Sequence, residues 1–455
     1  MKTKGHCIIL LSILLLSTSY AFGQADLRSL LEMAAENYPA IAAKQAQAEA
    51  AKASISLEKN TLLPSLDAAY QANYSTYNNI TGMHYPATLI PISGPPSSEN
   101  NDDGVPGSAA SLMLKWSPVT FGQRSASIEY HKKLYEKGLA SVEDEVLRVK
   151  FQVAFMYLEI ATTGELIKAY EKNVERNAFH LKQVASLARA GIRPGVDSLK
   201  FKGELSKTNT ALYDLQNLLE TQKQELAELL ATENLQDFEI DDFLFEHLPA
   251  LSAASPDPGQ NPLLRMAQFD VEANEASLKQ IKRSWTPRLE FWSTAYGRGS
   301  GIGFDGTVNK SDGWSFSRYN YGIGFQIVFP ILDLSNTHLK TRRQEALLRS
   351  SRSYLTQTQI SLNKQKQVAL GNFSTNLKIA GEVPVEYEAS ESAYRVLQTR
   401  YKAGLVDYTE LIQAQYDLLN AEARLKNAYI DSWKSLLRLA VIDGDITIFL
   451  DQIQP

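Results

Sequence analysis

Cysteine is almost absent: Cys7 is the only one among 455 residues. It opens an apolar run to Leu16 that follows Lys2 and Lys4 and leads into the small-residue stretch Ser19-Tyr20-Ala21-Phe22-Gly23. That order is expected of a secretory signal over residues 1–24, cleaved near Gly23 or Gln24. Once it is removed no thiol remains, which excludes a disulfide framework, a cysteine nucleophile and a lipidated N-terminal cysteine from the expected mature chain. Long apolar runs are missing too. No later segment offers 18 consecutive apolar residues, so any membrane-spanning part is expected to be a β-barrel and not a helix.

An excess of positive charge is also lacking. The formal net charge of −5 becomes −7 when Lys2 and Lys4 leave with the signal, and no nucleic-acid partner is expected. The remaining histidines, His84, His131, His180, His247 and His338, are scattered without ligand spacing. No catalytic constellation is found, so neither enzyme activity nor a cofactor nor a metal is expected. Gly301-Ile302-Gly303-Phe304-Asp305-Gly306 spells a dinucleotide fingerprint, yet it lies between two expected strands and has no helix after it to hold a pyrophosphate. Asn100-Asn101-Asp102-Asp103-Gly104 lacks the later glutamate of a calcium loop and reads as a solvated loop tip.

What is present is a duplication. Asn37-Tyr38-Pro39 is followed after 25 residues by Pro64, and Asn261-Pro262 after the same 25 by Pro287. Between them Glu49, Ala50, Ala53, Ser54 and Ile55 align with Glu272, Ala273, Ala276, Ser277 and Leu278. Trp116-Ser117-Pro118-Val119 then pairs with Val328-Phe329-Pro330-Ile331 at an offset of 212 instead of 223, so the first half has a loop longer by 11 residues. The expected organisation is a first helix-strand-strand-helix repeat at 25–245, a linker at 246–260, a second repeat at 261–442 and a C-terminal tail at 443–455.

Four stretches alternate with period two. Leu66, Ala68, Tyr70, Ala72 and Tyr74 share one face; Leu112, Leu114 and Trp116, then Leu289, Phe291, Ser293 and Ala295, then Tyr319, Tyr321, Ile323, Phe325, Ile327 and Phe329 do likewise. Such strands suit either a wall between lipid and a wet lumen or a half-buried sheet in a soluble domain. The helical stretches favour the wall. From Pro118 to Gly191 no proline intervenes, enough for a rod of roughly 105 Å at 1.5 Å per residue. Leu139, Val142, Val146, Val149, Val153, Met156 and Ile160 form a seam that Ile167, Tyr170, Val174, Asn177, Leu181 and Val184 continue. Return seams follow at Leu205, Thr208, Leu212, Leu215, Leu219, Gln222, Leu226 and Leu229, and at Leu411, Ala414, Leu418, Ala421, Leu425, Ala428, Ser432, Ser435 and Leu439. Leu348, Leu355, Leu362 and Ala369 mark a weaker one.

A sheet open at both edges cannot sit in hydrocarbon, and four strands are fewer than the smallest bacterial barrels contain. The protein must therefore oligomerise if its strands are in the membrane. Three copies give twelve strands and leave room for a solute, whereas small barrels fill with their own side chains.

With the signal, the duplicated units, the prolines at strand boundaries and the Ala-Gly turns Ala190-Gly191 and Ala403-Gly404, the chain resembles the TolC-like outer-membrane efflux family over nearly its whole length. The resemblance implies a mainly α fold with membrane β-structure: a homotrimer whose 12-stranded β-barrel is continued by a coiled-coil α-barrel. It further implies outer-membrane lipid around the barrel, a periplasmic adaptor and an inner-membrane transporter as partners, and no cofactor. The tips would carry the gate and the adaptor contact. By match to the best-known member, Asp197 and Glu410 stand six residues after their tip glycines, Tyr401 would hydrogen-bond to Asp197, and Glu410 would line the constriction. The second acidic ring of that member falls at Gln413 and its basic partner at Val406, with Arg193 as a substitute. Gly191, Gly195, Gly404, Leu405 and Asp407 are the expected adaptor-contact residues. The linker and tail would form a collar. The competing readings are a periplasmic coiled-coil adaptor and a structural scaffold, neither of which needs two amphipathic strand pairs.

Overall fold

The computed structural model describes residues 26–79, 96–191, 195–233, 240, 242–250 and 260–453; the expected signal lies outside them. The helices are α1 (Leu27–Asn37), α2 (Pro39–Asn60), α3 (Gln123–Arg189), α4 (Gly195–Leu229), α5 (Phe243–Glu246), α6 (Pro262–Lys282), α7 (Asp333–Lys402), α8 (Tyr408–Ile442) and α9 (Thr447–Ile453). The strands are β1 (Ser65–Ser75), β2 (Val105–Val119), β3 (Arg288–Ser300) and β4 (Arg318–Val328). The chain divides into two compact units, one comprising Ala42–Glu145 and Asp257–Lys364, the other the rest. Each unit draws on both halves of the sequence, so the repeat is not the unit of packing.

In the first unit a single antiparallel sheet runs in the order β1-β2-β3-β4. Its register puts Leu66, Leu114, Ser293 and Ile323 in one transverse row and Ala68, Leu112, Ala295 and Tyr321 in the next. The expected alternating residues therefore share one face, and Leu66, Tyr70, Tyr321, Ile323 and Phe325 are each more than 60% exposed there. On the opposite face Trp292 lies across Gly322 and Gly324; a Cβ on Gly324 would come within 2.7 Å of the indole. Arg124, near the start of α3, donates to the carbonyls of Thr61, Ser117 and Pro118 at 3.1, 2.7 and 3.2 Å, and so satisfies backbone acceptors where the strands end. Asn261 caps α6 by accepting from Leu263 N–H at 2.9 Å, with Pro262 at the first helical position. Ion pairs join α3 to α6: Lys133 with Glu272 at 2.8 Å, Lys137 with Asp270 at 2.5 Å and Lys279 with Glu129 at 2.8 Å. Exposed as they are, these contribute little stability each.

The second unit holds the main apolar core. Leu27, Leu30 and Leu31 of α1, Val149, Val153 and Leu158 of α3, Leu226 of α4, and Trp433, Leu436 and Leu437 of α8 meet there, together with Phe449 of α9. The α8 seam follows the expected spacing: Leu411, Ala414, Leu418, Ala421, Ala428, Ser432, Ser435 and Leu439 are buried and Leu425 is partly buried. Its small members permit close helix approach. Of the expected α7 set Leu348, Leu362 and Ala369 are buried, while Leu355 is only partly buried.

The α3 register needs a correction in its second half. Asn177 and Val184 are buried as expected, but Asn173 and His180, at 3% and 1% exposure, are buried in place of their neighbours Val174 and Leu181, which are only partly buried. A straight helix drifts relative to a seven-residue repeat, and polar partners on α4, α7 and α8 draw these side chains inward.

Candidate functional site

Both expected turns close helices through left-handed glycines, Gly191 at φ +72° and Gly404 at φ +76°. After α7, Leu405 N–H donates to the Arg400 carbonyl at 2.9 Å and Gly404 N–H to that of Tyr401 at 3.0 Å. The last carbonyls of the helix are satisfied by the bond pair that such a glycine allows. Asp407 then caps α8, its carboxylate accepting from Glu410 N–H at 3.1 Å. An expected contact residue and an expected constriction residue are thus successive parts of one helix start. Glu410 is exposed, its negative charge in the first turn of α8 where the helix dipole favours it. Gln413, also exposed, donates to Asp417 at 2.9 Å, and Leu405 is 69% exposed. Gly195 begins α4, and Arg193 lies outside the described residues.

Tyr401 and Asp197 do not meet as expected. Among the described residues no hydrogen bond joins them. Tyr401 is 3% exposed and packs edge-on against Phe201 with ring centres 6.4 Å apart, inside an apolar cluster with Val184, Val406, Tyr408 and Leu411. Asp197 stays half-exposed in the first turn of α4.

The tyrosine whose surroundings include Asp197 is Tyr408, which sequence reasoning did not single out. Its ring stands edge-on to Phe201 at 4.7 Å, and the Lys200 ammonium lies 5.2 Å above it. Burial, then the negative charge of Glu204, then Tyr416, then the negative charge of Asp197, push its phenol well above the ordinary tyrosine range, so it stays neutral. The signal was available: Asp407-Tyr408-Thr409-Glu410 is an N-cap pattern that fixes Tyr408 at the first helical position.

Next to this cluster lies a buried polar layer. Gln415 donates to Asn173 at 2.6 Å and Asn177 at 2.9 Å, and Asn177 donates to Thr208 at 2.9 Å. All four side chains are no more than 5% exposed. Polar groups at seam positions fix helix register, because a slip would leave them buried and unpaired. Glu422, 7% exposed, lies 3.5 Å from Lys172 and 3.9 Å from Arg176. His180 stacks on Phe201 at 5.5 Å, and its Nε2 is 3.0 Å from the Tyr394 hydroxyl. Tyr394 accepts from Gln398 at 3.2 Å, which frees its own proton for the imidazole. Burial, then the cations Lys402 and Arg176, push the His180 pKa down to about 4, with Gln183 acting weakly the other way.

The described residues contain no cluster of histidine, cysteine, aspartate and glutamate able to hold a metal ion. No described helix is long and apolar enough to cross a membrane. The sheet has a broad exposed apolar face and two unpaired edges, β1 and β4. A face of this kind needs a partner surface or lipid.

Known proteins share this arrangement. The model of the outer membrane efflux protein family matches residues 30–232 and 259–445. The pyoverdine export outer membrane protein OpmQ of Pseudomonas aeruginosa is 23% identical over 420 residues, covering 88% of this chain and 81% of that protein. The crystal structure of the outer membrane protein VceC of Vibrio cholerae is similar with a TM-score of 0.76 at 15% identity, over 93% of this chain and 97% of that one. The Neisseria gonorrhoeae outer membrane channel MtrE, solved in an open state, gives 0.71 at 16% identity over 92% and 89%.

Proposed function

Since the chain belongs to the outer membrane efflux protein family, and so is an efflux channel of a Gram-negative outer membrane and not an enzyme, we propose that it is the exit duct of a tripartite efflux or type I secretion system. The carrying observation is the sheet: one apolar exposed face and two open edges in a chain that also holds two long helical hairpins. Three copies, pairing β4 of one with β1 of the next, close a twelve-stranded barrel with the apolar face toward lipid and the polar face toward the lumen. Conduction is passive, with energy supplied by an inner-membrane transporter through a periplasmic adaptor. The adaptor engages the tips at Gly191, Gly195, Gly404, Leu405 and Asp407. The gate is formed by Glu410 and Gln413 together with Asp197 and Arg193, while Tyr401 acts by packing behind them. The two sequence repeats supply one strand pair and one hairpin each, and the linker at 246–260 with the tail at 443–455 forms a collar. The family assignment displaces the adaptor and scaffold readings.

Native mass of the mature protein extracted from outer membranes in detergent should correspond to three copies; a monomer or dimer would overturn the duct. At the tips, three Glu410 carboxylates held close attract multivalent cations. Glu410→Gln should therefore weaken block by hexaamminecobalt(III) severalfold in planar bilayers. Unchanged block would move the constriction elsewhere.

A further inference from the structure

From an uncompensated arginine pair on the polar face of the sheet, we propose that the loop end of the barrel carries an anion-binding belt, a subsite for carboxylate, sulfonate or phosphate groups on passing cargo. The inference rests on the trimeric duct proposed above.

Gln71, Ala109, Arg298 and Arg318 form one transverse row of the sheet. By the alternation of β3 and β4 both arginines lie on the face opposite Phe291, Ile323 and Phe325, and both are exposed. They stand directly across from each other as the last pair of the β3–β4 register before the connecting loop. Like charges in that relation destabilise a strand pair. Among the described residues neither guanidinium has a carboxylate partner; Arg318 Nη1 reaches the Ser317 carbonyl at 3.5 Å.

The other charges on that face are of mixed sign: Asp67, Lys115, Arg288 and Glu290. Arg288 lies 3.4 Å from Glu290, which accepts from Gln326 at 2.9 Å. On that face of the strands the positive charge is therefore concentrated in the row next to the β3–β4 loop.

The β3–β4 loop leaves this row uncovered. Ser108 Oγ donates to the Gly313 carbonyl at 2.7 Å, and Phe316 stands edge-on to Tyr70 at 6.4 Å. Ser108 and Tyr70 both belong to the apolar face, so the segment around the 3₁₀ turn Lys310–Trp314 folds against the lipid side. Three copies bring six guanidiniums into one belt around the lumen. Guanidinium forks bind carboxylate and phosphate through two parallel hydrogen bonds, more tightly than a single ammonium. A ring of such groups in a pore lined by low-dielectric walls attracts anions.

The test uses the purified full-length protein in planar bilayers with inositol hexakisphosphate as the probe in the chamber facing the loop end. The wild type should be blocked. The double variant R298Q/R318Q, of unchanged native mass, should need at least tenfold more probe for half-block, and R298K/R318K should fall between. Equal block of wild type and R298Q/R318Q would overturn the belt, as would wild-type channels indifferent to the probe; in both cases the duct itself stands. Absence of any channel would overturn duct and belt together.

Discussion

Trp433→Ala should lower the stability of the protein by about 3–5 kcal/mol, in the range for truncating a buried aromatic side chain. Trp433 is 1% exposed on α8 and contacts α5 and α9. Its Nε1–H lies 3.2 Å from the Leu244 carbonyl and 3.1 Å from that of His247, a shared donation to the two ends of α5. Phe449 of α9 stands edge-on to the indole at 6.3 Å, and Phe243 is 6.0 Å away while stacking on His247 at 4.3 Å. α5 has four residues, far too few to hold a helical turn without tertiary support. Removing the indole leaves a cavity and two carbonyls without their donor. Trp433→Phe keeps most of the apolar volume and loses only the donation, so it should cost about 1–2 kcal/mol. Thermal unfolding followed by circular dichroism should rank wild type above Phe above Ala. Equal loss in both variants would mean that packing contributes nothing beyond the hydrogen bonds.

The sheet and the return helices were legible because they follow simple periods. Period two placed Leu66, Leu112, Phe291 and Ile323 on one face, and heptad spacing found the α8 seam from Leu411 to Leu439. The start of β2 was not legible. Val105-Pro106-Gly107-Ser108-Ala109-Ala110 has no alternation, and these residues are strand because β1 and β3 pair with them on both sides. The small residues matter for another reason: Gly301 and Gly313 pack onto Pro106 where a Cβ would collide. At the tips, the glycine turns and the Asp407 cap could be read from their local chemistry. The environment of Tyr401 could not, because it is set by Phe201 and Val184, distant in sequence. Two positions in the second half of the α3 seam differ for a related reason: burial of Asn173 and His180 in place of Val174 and Leu181 depends on Gln415 and Tyr394, which no local pattern reveals.

Acidification should expose His180 as the weak point of that seam. The ring is 1% exposed, stacked on Phe201 of α4, and faces Tyr394 and Lys402 of α7 and Arg176 of its own helix, which lies 3.9 Å from Glu422 of α8. Its folded-state pKa of about 4 lies below the ordinary value of 6.5. Above pH 6.5 the ring is neutral in folded and unfolded chains alike and titration contributes nothing. Between 6.5 and 4 the unfolded chain binds a proton that the folded one refuses, so stability falls as pH falls. Below 4 both states are protonated and the loss levels off. A shift of this size corresponds to about 3 kcal/mol per protomer at most. His180→Phe removes the titration while retaining an aromatic ring against Phe201, and Tyr394 keeps its bond from Gln398. Denaturant titrations at pH 7.5, 6, 5 and 4 should show the wild type losing stability relative to His180→Phe by about 1.4 kcal/mol per pH unit across the middle of that window. Parallel pH profiles would mean that the imidazole is hydrated or paired in a way that lets it accept the proton in place.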